Sequence, residues 1–151
     1  MKFTDGYWQI REGMTPYFPA QVYEVEVEPG AMTVYAATKK LVTRGDTLGM
    51  PMLTVRFSTP MENVIRVQMS HHKGGLPRKP EFVLSEQPHP QPVISDNEQC
   101  ATLTSGALSV RVQKGENWLV EYKAEERVIT SSTWHGMGLV DAPRAGISTS
   151  N

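Results

Sequence analysis

Between Ala101 and Thr130 the chain reads ATLTSGALSVRVQKGENWLVEYKAEERVIT. Leu108, Val110 and Val112 alternate with polar neighbours, a Lys114-Gly115 turn follows, and Trp118, Val120 and Tyr122 alternate again. Successive strand side chains point to opposite faces, so two period-two runs around a glycine turn predict a β-hairpin with one buried face.

The same pattern recurs along the chain. Phe3 to Ile10 is predicted as the first strand. In Val22–Glu28, Tyr23, Val25 and Val27 fall on one side and Glu24, Glu26 and Glu28 on the other, which marks the glutamates as a solvated face. Pro29-Gly30 is a turn pair, and Met32, Val34 and Ala36 resume the alternation, giving a second hairpin. The polar stretch Lys39 to Pro51 reads as a loop. Leu53, Val55 and Phe57 define a further strand, as do Ile65, Val67 and Met69. His71 to Pro92 holds five prolines and an adjacent glycine pair, which leaves loop and an edge strand at Phe82–Leu84. Ile94 to Leu103 and a short strand at Val128-Ile129 complete the set.

No segment keeps apolar residues at i, i+3, i+4 and i+7 over three turns, so helix content should be low. Short strands separated by turn signals predict an all-β fold, an antiparallel β-sandwich with Leu53, Val55, Phe57, Ile65, Val67, Leu108, Val110, Val112, Trp118 and Val120 near its core. A chain of 151 residues favours one domain, here residues 1–141, with the small polar residues 142–151 expected as a disordered tail.

Composition narrows the function classes. The net charge of −1 gives no electrostatic footprint for nucleic acid or an anionic membrane. No run of ~18 apolar residues is present to span a bilayer. The N-terminus lacks the apolar stretch of a secretion signal, which makes the cytoplasm the default location. Cys100 is the single cysteine, so no internal disulfide forms, and its strand context predicts a buried, inert thiol.

Candidate chemistry is sparse. His71 and His72 are adjacent, so on a strand they face opposite ways, and His89 has no fixed spacing to them; zinc needs three or four convergent ligands, so no metal is expected. Gly74-Gly75 precedes Leu-Pro rather than a helix and is not a phosphate-cradling loop. Glu24, Glu26 and Glu28, and likewise Glu125-Glu126, read as solvated side chains rather than a catalytic pair. Trp8 and Trp118 are expected to pack inside. Trp134 lies in a Ser-Thr-Trp-His-Gly loop, which makes Trp134 and His135 the candidates for contact with a sugar ring or for anchoring a neighbouring domain. No catalytic residue and no cofactor is assigned.

Several segments together resemble the N-terminal region of glycoside hydrolase family 31. They are Ser105-Gly106-Ala107-Leu108, Val110-Arg111-Val112, Lys114-Gly115, Trp118 and Ile129-Thr130. The opening of the chain is similar to that of bacterial α-xylosidases in that family: Met1-Lys2-Phe3, Asp5-Gly6, Trp8, Ile10, Gly13, Gln21-Val22 and Glu24-Val25-Glu26. Val34-Tyr35-Ala36-Ala37 and Leu53-Thr54-Val55-Arg56-Phe57 also fit, so the resemblance runs from Met1 to about Asp141. It implies the first part of a sandwich resembling galactose mutarotase, packed in the family against a (β/α)8 barrel that hydrolyses α-glycosidic bonds with retention. Such chemistry needs two carboxylates ~5–5.5 Å apart. The family carries both on the barrel, one in an Asp-Phe-Gly-Glu-like motif, and this sequence contains no Asp-Phe pair.

The resemblance therefore implies a non-catalytic N-terminal domain whose partner is a glycosidase barrel. The alternative is a free-standing carbohydrate-binding module for α-xylosides or other sugars. A mutarotase-type enzyme is disfavoured, because no general acid and base pair can be assigned. An incomplete sandwich leaves open edges, so self-association is expected.

Overall fold

The computed structural model describes residues 9–70 and 90–142, and the backbone of 147–150. The fold is all-β. Its strands are β1 (Thr15–Tyr17), β2 (Gln21–Glu28), β3 (Ala31–Ala37), β4 (Met52–Met61), β5 (Val64–Ser70), β6 (Val93–Asp96), β7 (Cys100–Ser105), β8 (Leu108–Gln113), β9 (Leu119–Ala124), β10 (Arg127–Thr133), β11 (Leu139–Ala142) and β12 (Ile147–Ser150). The one helical element among the described residues is a 3-10 turn at Arg44–Thr47 inside the expected loop.

These strands form three antiparallel sheets, ordered β2-β3-β4-β5, β10-β9-β8-β7-β6 and β1-β11-β12. The hairpin read from the sequence is β8–β9, in register at Val112 opposite Val120 and Val110 opposite Tyr122. The first two sheets face each other. Met32, Val34, Ala36, Leu53, Val55 and Phe57 of one meet Ala101, Leu103, Val110, Val112 and Val120 of the other in a single buried cluster that also takes in Trp118. Leu139 joins that cluster from the small sheet. Burying such aliphatic side chains contributes about 1.5–3 kcal/mol each before chain entropy is set against it, so this cluster is the main stabilising element.

Two turns tie the sheets together at one end. Asn63 adopts a left-handed conformation (φ 59°) in the β4–β5 turn, and its Oδ1 accepts the Ala107 N–H at 2.7 Å in the β7–β8 turn. Gly106 (φ 58°) in that second turn lies against the Asn63 carboxamide, where a Cβ would collide. A neighbouring connection is held locally: Asn97 Oδ1 accepts the N–H groups of Gln99 and Cys100, both at 2.9 Å, and so splits the run Ile94 to Leu103 into β6 and β7.

The structure corrects several expectations. Val67 is 37% exposed, because β5 is an edge strand and its outer end borders an open cleft rather than the opposite sheet. Ile65 lies near the core as expected, half-buried and packed against it, and Leu108 is half-buried at the hairpin end. A bulge between Val22 and Glu24 breaks the alternation of β2, so Val22 and Val25 both pack inward while Tyr23 is exposed; Val27 keeps the parity of Val25 but is 49% exposed near the hairpin end of this edge strand. Cys100 is half-buried, since the register of β7 turns Ala101 and Leu103 inward and Cys100 outward. The strand at Val128-Ile129 extends over all of β10.

β1 was not apparent from the sequence: it is three residues with a central proline, paired through Pro16 to Val140. β11 runs through Ala142 and pairs with β12; a backbone ladder needs no apolar pattern in the partner. The first predicted strand (apart from Gln9 and Ile10), the edge strand at Phe82–Leu84, Gly74-Gly75 and the histidines 71, 72 and 89 lie outside the described residues.

Candidate functional site

The loop joining β10 to β11, Trp134 to Gly138, borders two clefts of the described surface. It is built by close approach. A turn closes from the Gly136 N–H to the Thr133 carbonyl at 2.8 Å. Met137 drops onto the core. Gly138 lies against Phe18, with its missing Cβ position 2.6 Å from Phe18 Cδ1 and 3.0 Å from the Tyr17 carbonyl oxygen, so a side chain has no room there.

The outcome is an aromatic platform. Trp134 is 56% exposed, and His135 stacks on its indole with ring centroids 3.4 Å apart at 29°. Phe18 meets both rings edge-on, 6.1 Å from Trp134 and 4.6 Å from His135. The structure thus brings the two sequence-predicted contact residues together, and adds Phe18, which no periodic signal marked.

Beside the platform lies a cleft of about 370 Å³ lined by Ala20, Lys40, Asn117, Trp118, Thr133 and Trp134. Trp118 is 2% exposed, as the alternation predicts, and its Nε1 is buried with no hydrogen-bond partner among the described residues. It is fixed by its backbone N–H, which donates to the Ala20 carbonyl at 2.8 Å and so joins the β9 entry to the segment before β2. Asn117 and Lys40 reach the cleft from loops and carry no pattern that sequence reasoning could have used.

The second cleft, about 420 Å³, opens between the β5 edge and β10. Val67, Met69, Tyr122, Ser132 and Met137 are among its lining residues. Burial pushes the Tyr122 phenol above its ordinary pKa, since an ionised ring would lose its hydration there. No Asp or Glu is among the described residues lining either cleft.

The glutamate face of β2 is organised differently. The Tyr35 hydroxyl donates to Glu26 Oε2 at 2.9 Å, and Arg56 Nη2 lies 3.4 Å from Glu28 Oε2. The hydrogen bond to Glu26, together with partial desolvation and the charges of Glu26, Glu24 and Glu28, raises the Tyr35 pKa. Glu26 and Glu28 thus serve as acceptors in cross-strand pairs, and none of the three glutamates is among the residues lining either cleft. Among the described residues no group of three or more His, Cys, Asp or Glu is placed to hold a metal ion, and no helix is long and apolar enough to cross a membrane.

An antiparallel β-sandwich bearing an aromatic platform and clefts lined by neutral side chains and a single lysine defines the class: a β-sandwich domain without a carboxylate pair in its described clefts. Sequence relatives identify the kind. The chain is 31% identical over 132 residues to the α-xylosidase XylQ of Lactiplantibacillus pentosus, which covers 87% of this chain and 17% of the relative. It is 29% identical over 119 residues to an α-xylosidase of Emericella nidulans, covering 79% of this chain and 15% of that protein. No family model matches. The chain is therefore related to α-xylosidases of the glycoside hydrolase family 31 type, and it spans 15–17% of the length of these curated relatives.

Proposed function

We propose that this chain is the N-terminal β-sandwich of an α-xylosidase-type glycoside hydrolase, a non-catalytic domain that supports a (β/α)8 barrel carried on further polypeptide. The observation that carries this reading is the lopsided coverage: 87% of the chain aligns, yet it accounts for 17% of the α-xylosidase it resembles. Among the described strands β5 and β10 are edges, and with the cleft between them they supply a place where further strands of the sandwich would add. Hydrolysis of α-glycosidic bonds belongs, on this reading, to the barrel, in keeping with clefts that present no acid and base pair. The protein would work in the cytoplasm, and the isolated chain would associate with itself through the same edges.

The test is direct. The coding DNA beyond the codon for Asn151 is sequenced, and hydrolysis of p-nitrophenyl α-xyloside is assayed for the 151-residue chain alone and for the chain with the polypeptide that follows. Barrel-coding sequence, and activity only in the longer protein, is the expected result. Turnover by the 151-residue chain alone, or the absence of any barrel-coding sequence, overturns the proposal.

A second reading is carbohydrate binding by the chain itself. It is favoured by one observation, the exposed and braced Trp134 at a largely apolar cleft whose lining also includes Asn117, Thr133 and Lys40.

A further inference from the structure

We infer that the cleft between Trp134 and Trp118 is a subsite for one pyranose ring of a neutral saccharide, with Trp134 as its stacking platform and Asn117, Thr133 and Lys40 as its hydroxyl partners. The inference deepens the second reading above and is independent of the first.

Three features of the cleft converge on this ligand class. The first is the state of the Trp134 ring. An exposed indole usually turns freely, and immobilising it on binding costs about 0.5–1.5 kcal/mol of rotamer entropy. Here His135 covers one face and Phe18 meets the ring edge-on, so the orientation is set before any ligand arrives. The face left open belongs to a residue that lines the cleft.

The second feature is chemical match. A pyranose presents a flat array of polarised C–H bonds on each face and hydroxyls around its rim. The negative face of an indole attracts the C–H array, and the contact removes apolar surface from water on both partners. The rim needs donors and acceptors at the side. Asn117 offers both through its carboxamide, Thr133 offers both through its hydroxyl, and Lys40 donates. No lining residue is acidic, and a single one is cationic, so the site suits a neutral ring better than a charged amino sugar.

The third feature is size. About 370 Å³ lies at the low end of the ~300–1,000 Å³ typical of small-molecule sites and suits one or two sugar rings rather than a long polymer. The Trp118 Nε1 is buried, so the wall this residue offers is carbon, which favours the edge of a sugar ring over a second polar headgroup.

The experiment titrates the 15N-labelled 151-residue chain with methyl α-D-xylopyranoside, and separately with sorbitol, while following the indole N–H signals. Sorbitol supplies the hydroxyls without a rigid C–H face. The expected result is a saturable shift of the Trp134 signal by the xyloside with a Kd on the order of 1 mM, little shift with sorbitol, and at least about a tenfold loss of affinity in Trp134→Ala. Asn117→Ala should weaken binding several-fold while leaving the Trp134 signal in place. No saturable shift at about 50 mM xyloside, equal shifts with both compounds, or unchanged affinity in Trp134→Ala overturns the inference. Trp134 is exposed, so its replacement leaves the core intact, and the dispersion of the amide spectrum verifies this. Failure here leaves the glycosidase-domain reading standing, because that reading is tested by coding sequence and by turnover of the longer protein.

Discussion

Val55 and Val67 hold equivalent places in the period-two pattern, yet truncating them should have unequal consequences. Val55 is 0% exposed between the two large sheets, whereas Val67 is 37% exposed on β5 beside the open cleft. A Val→Ala change removes two methyl groups, worth about 1.6 kcal/mol of transfer free energy when fully buried. At Val55 the lost volume is sealed by neighbours, and an unrelaxed cavity of roughly 50 Å³ adds about 1 kcal/mol. The expected destabilisation is about 2–3 kcal/mol. At Val67 part of the side chain is already in water and no closed cavity forms, so the transfer loss falls to about 1 kcal/mol or less. Any difference in strand propensity between valine and alanine acts at both sites and largely cancels in the comparison. The assay is urea unfolding followed by Trp fluorescence, at a concentration where light scattering shows monomer, with the midpoints compared at equal slope. Val55→Ala should lie at least about 1 kcal/mol below Val67→Ala. Equal midpoints would refute the reasoning, because they would mean that the β5–β10 cleft is closed in solution.

Other expectations rest on single contacts. Gly138→Ala places a Cβ into Phe18 and the Tyr17 carbonyl, so it should cost about 1–3 kcal/mol and change Trp134 fluorescence by displacing its brace. Asn63→Ala loses both a left-handed turn residue and the bond to the Ala107 N–H; thermal unfolding should report a loss of about 1–3 kcal/mol, and a loss under about 0.5 would show that the turns are held otherwise. The Tyr35 phenol should ionise above its ordinary range, and Glu26→Gln should bring that titration down, as read by absorbance of phenolate. Its folded-state pKa is raised, so this contribution is complete below the unfolded tyrosine pKa and is lost as pH rises through the folded value, a strictly alkaline effect. Ile129→Lys, on the exposed edge strand β10, should shift the isolated chain toward monomer in size-exclusion chromatography with light scattering.

Local hydrophobic pattern alone sets the secondary-structure class and most of the core. Alternation is a local property, and it survives folding wherever a strand is covered on one face. That is why Leu53, Val55, Phe57, Val110, Val112, Trp118 and Val120 are all buried as read. The exposure of Trp134 was likewise legible, because an aromatic residue in a polar, glycine-bearing loop has no core-facing pattern to absorb it. Tertiary structure decided the rest. Which strands become edges is set by sheet order, and this exposes Val67 despite its pattern. A bulge after Val22 shifts the inward face of β2, a change of register that leaves no signature in hydrophobic period. β1 and β12 both pair with β11 through the backbone, a ladder that hydrophobic period alone does not announce. The cleft draws Lys40, Asn117 and Trp134 from loops 17 or more positions apart in sequence, and only the packing of three sheets brings their side chains to one rim.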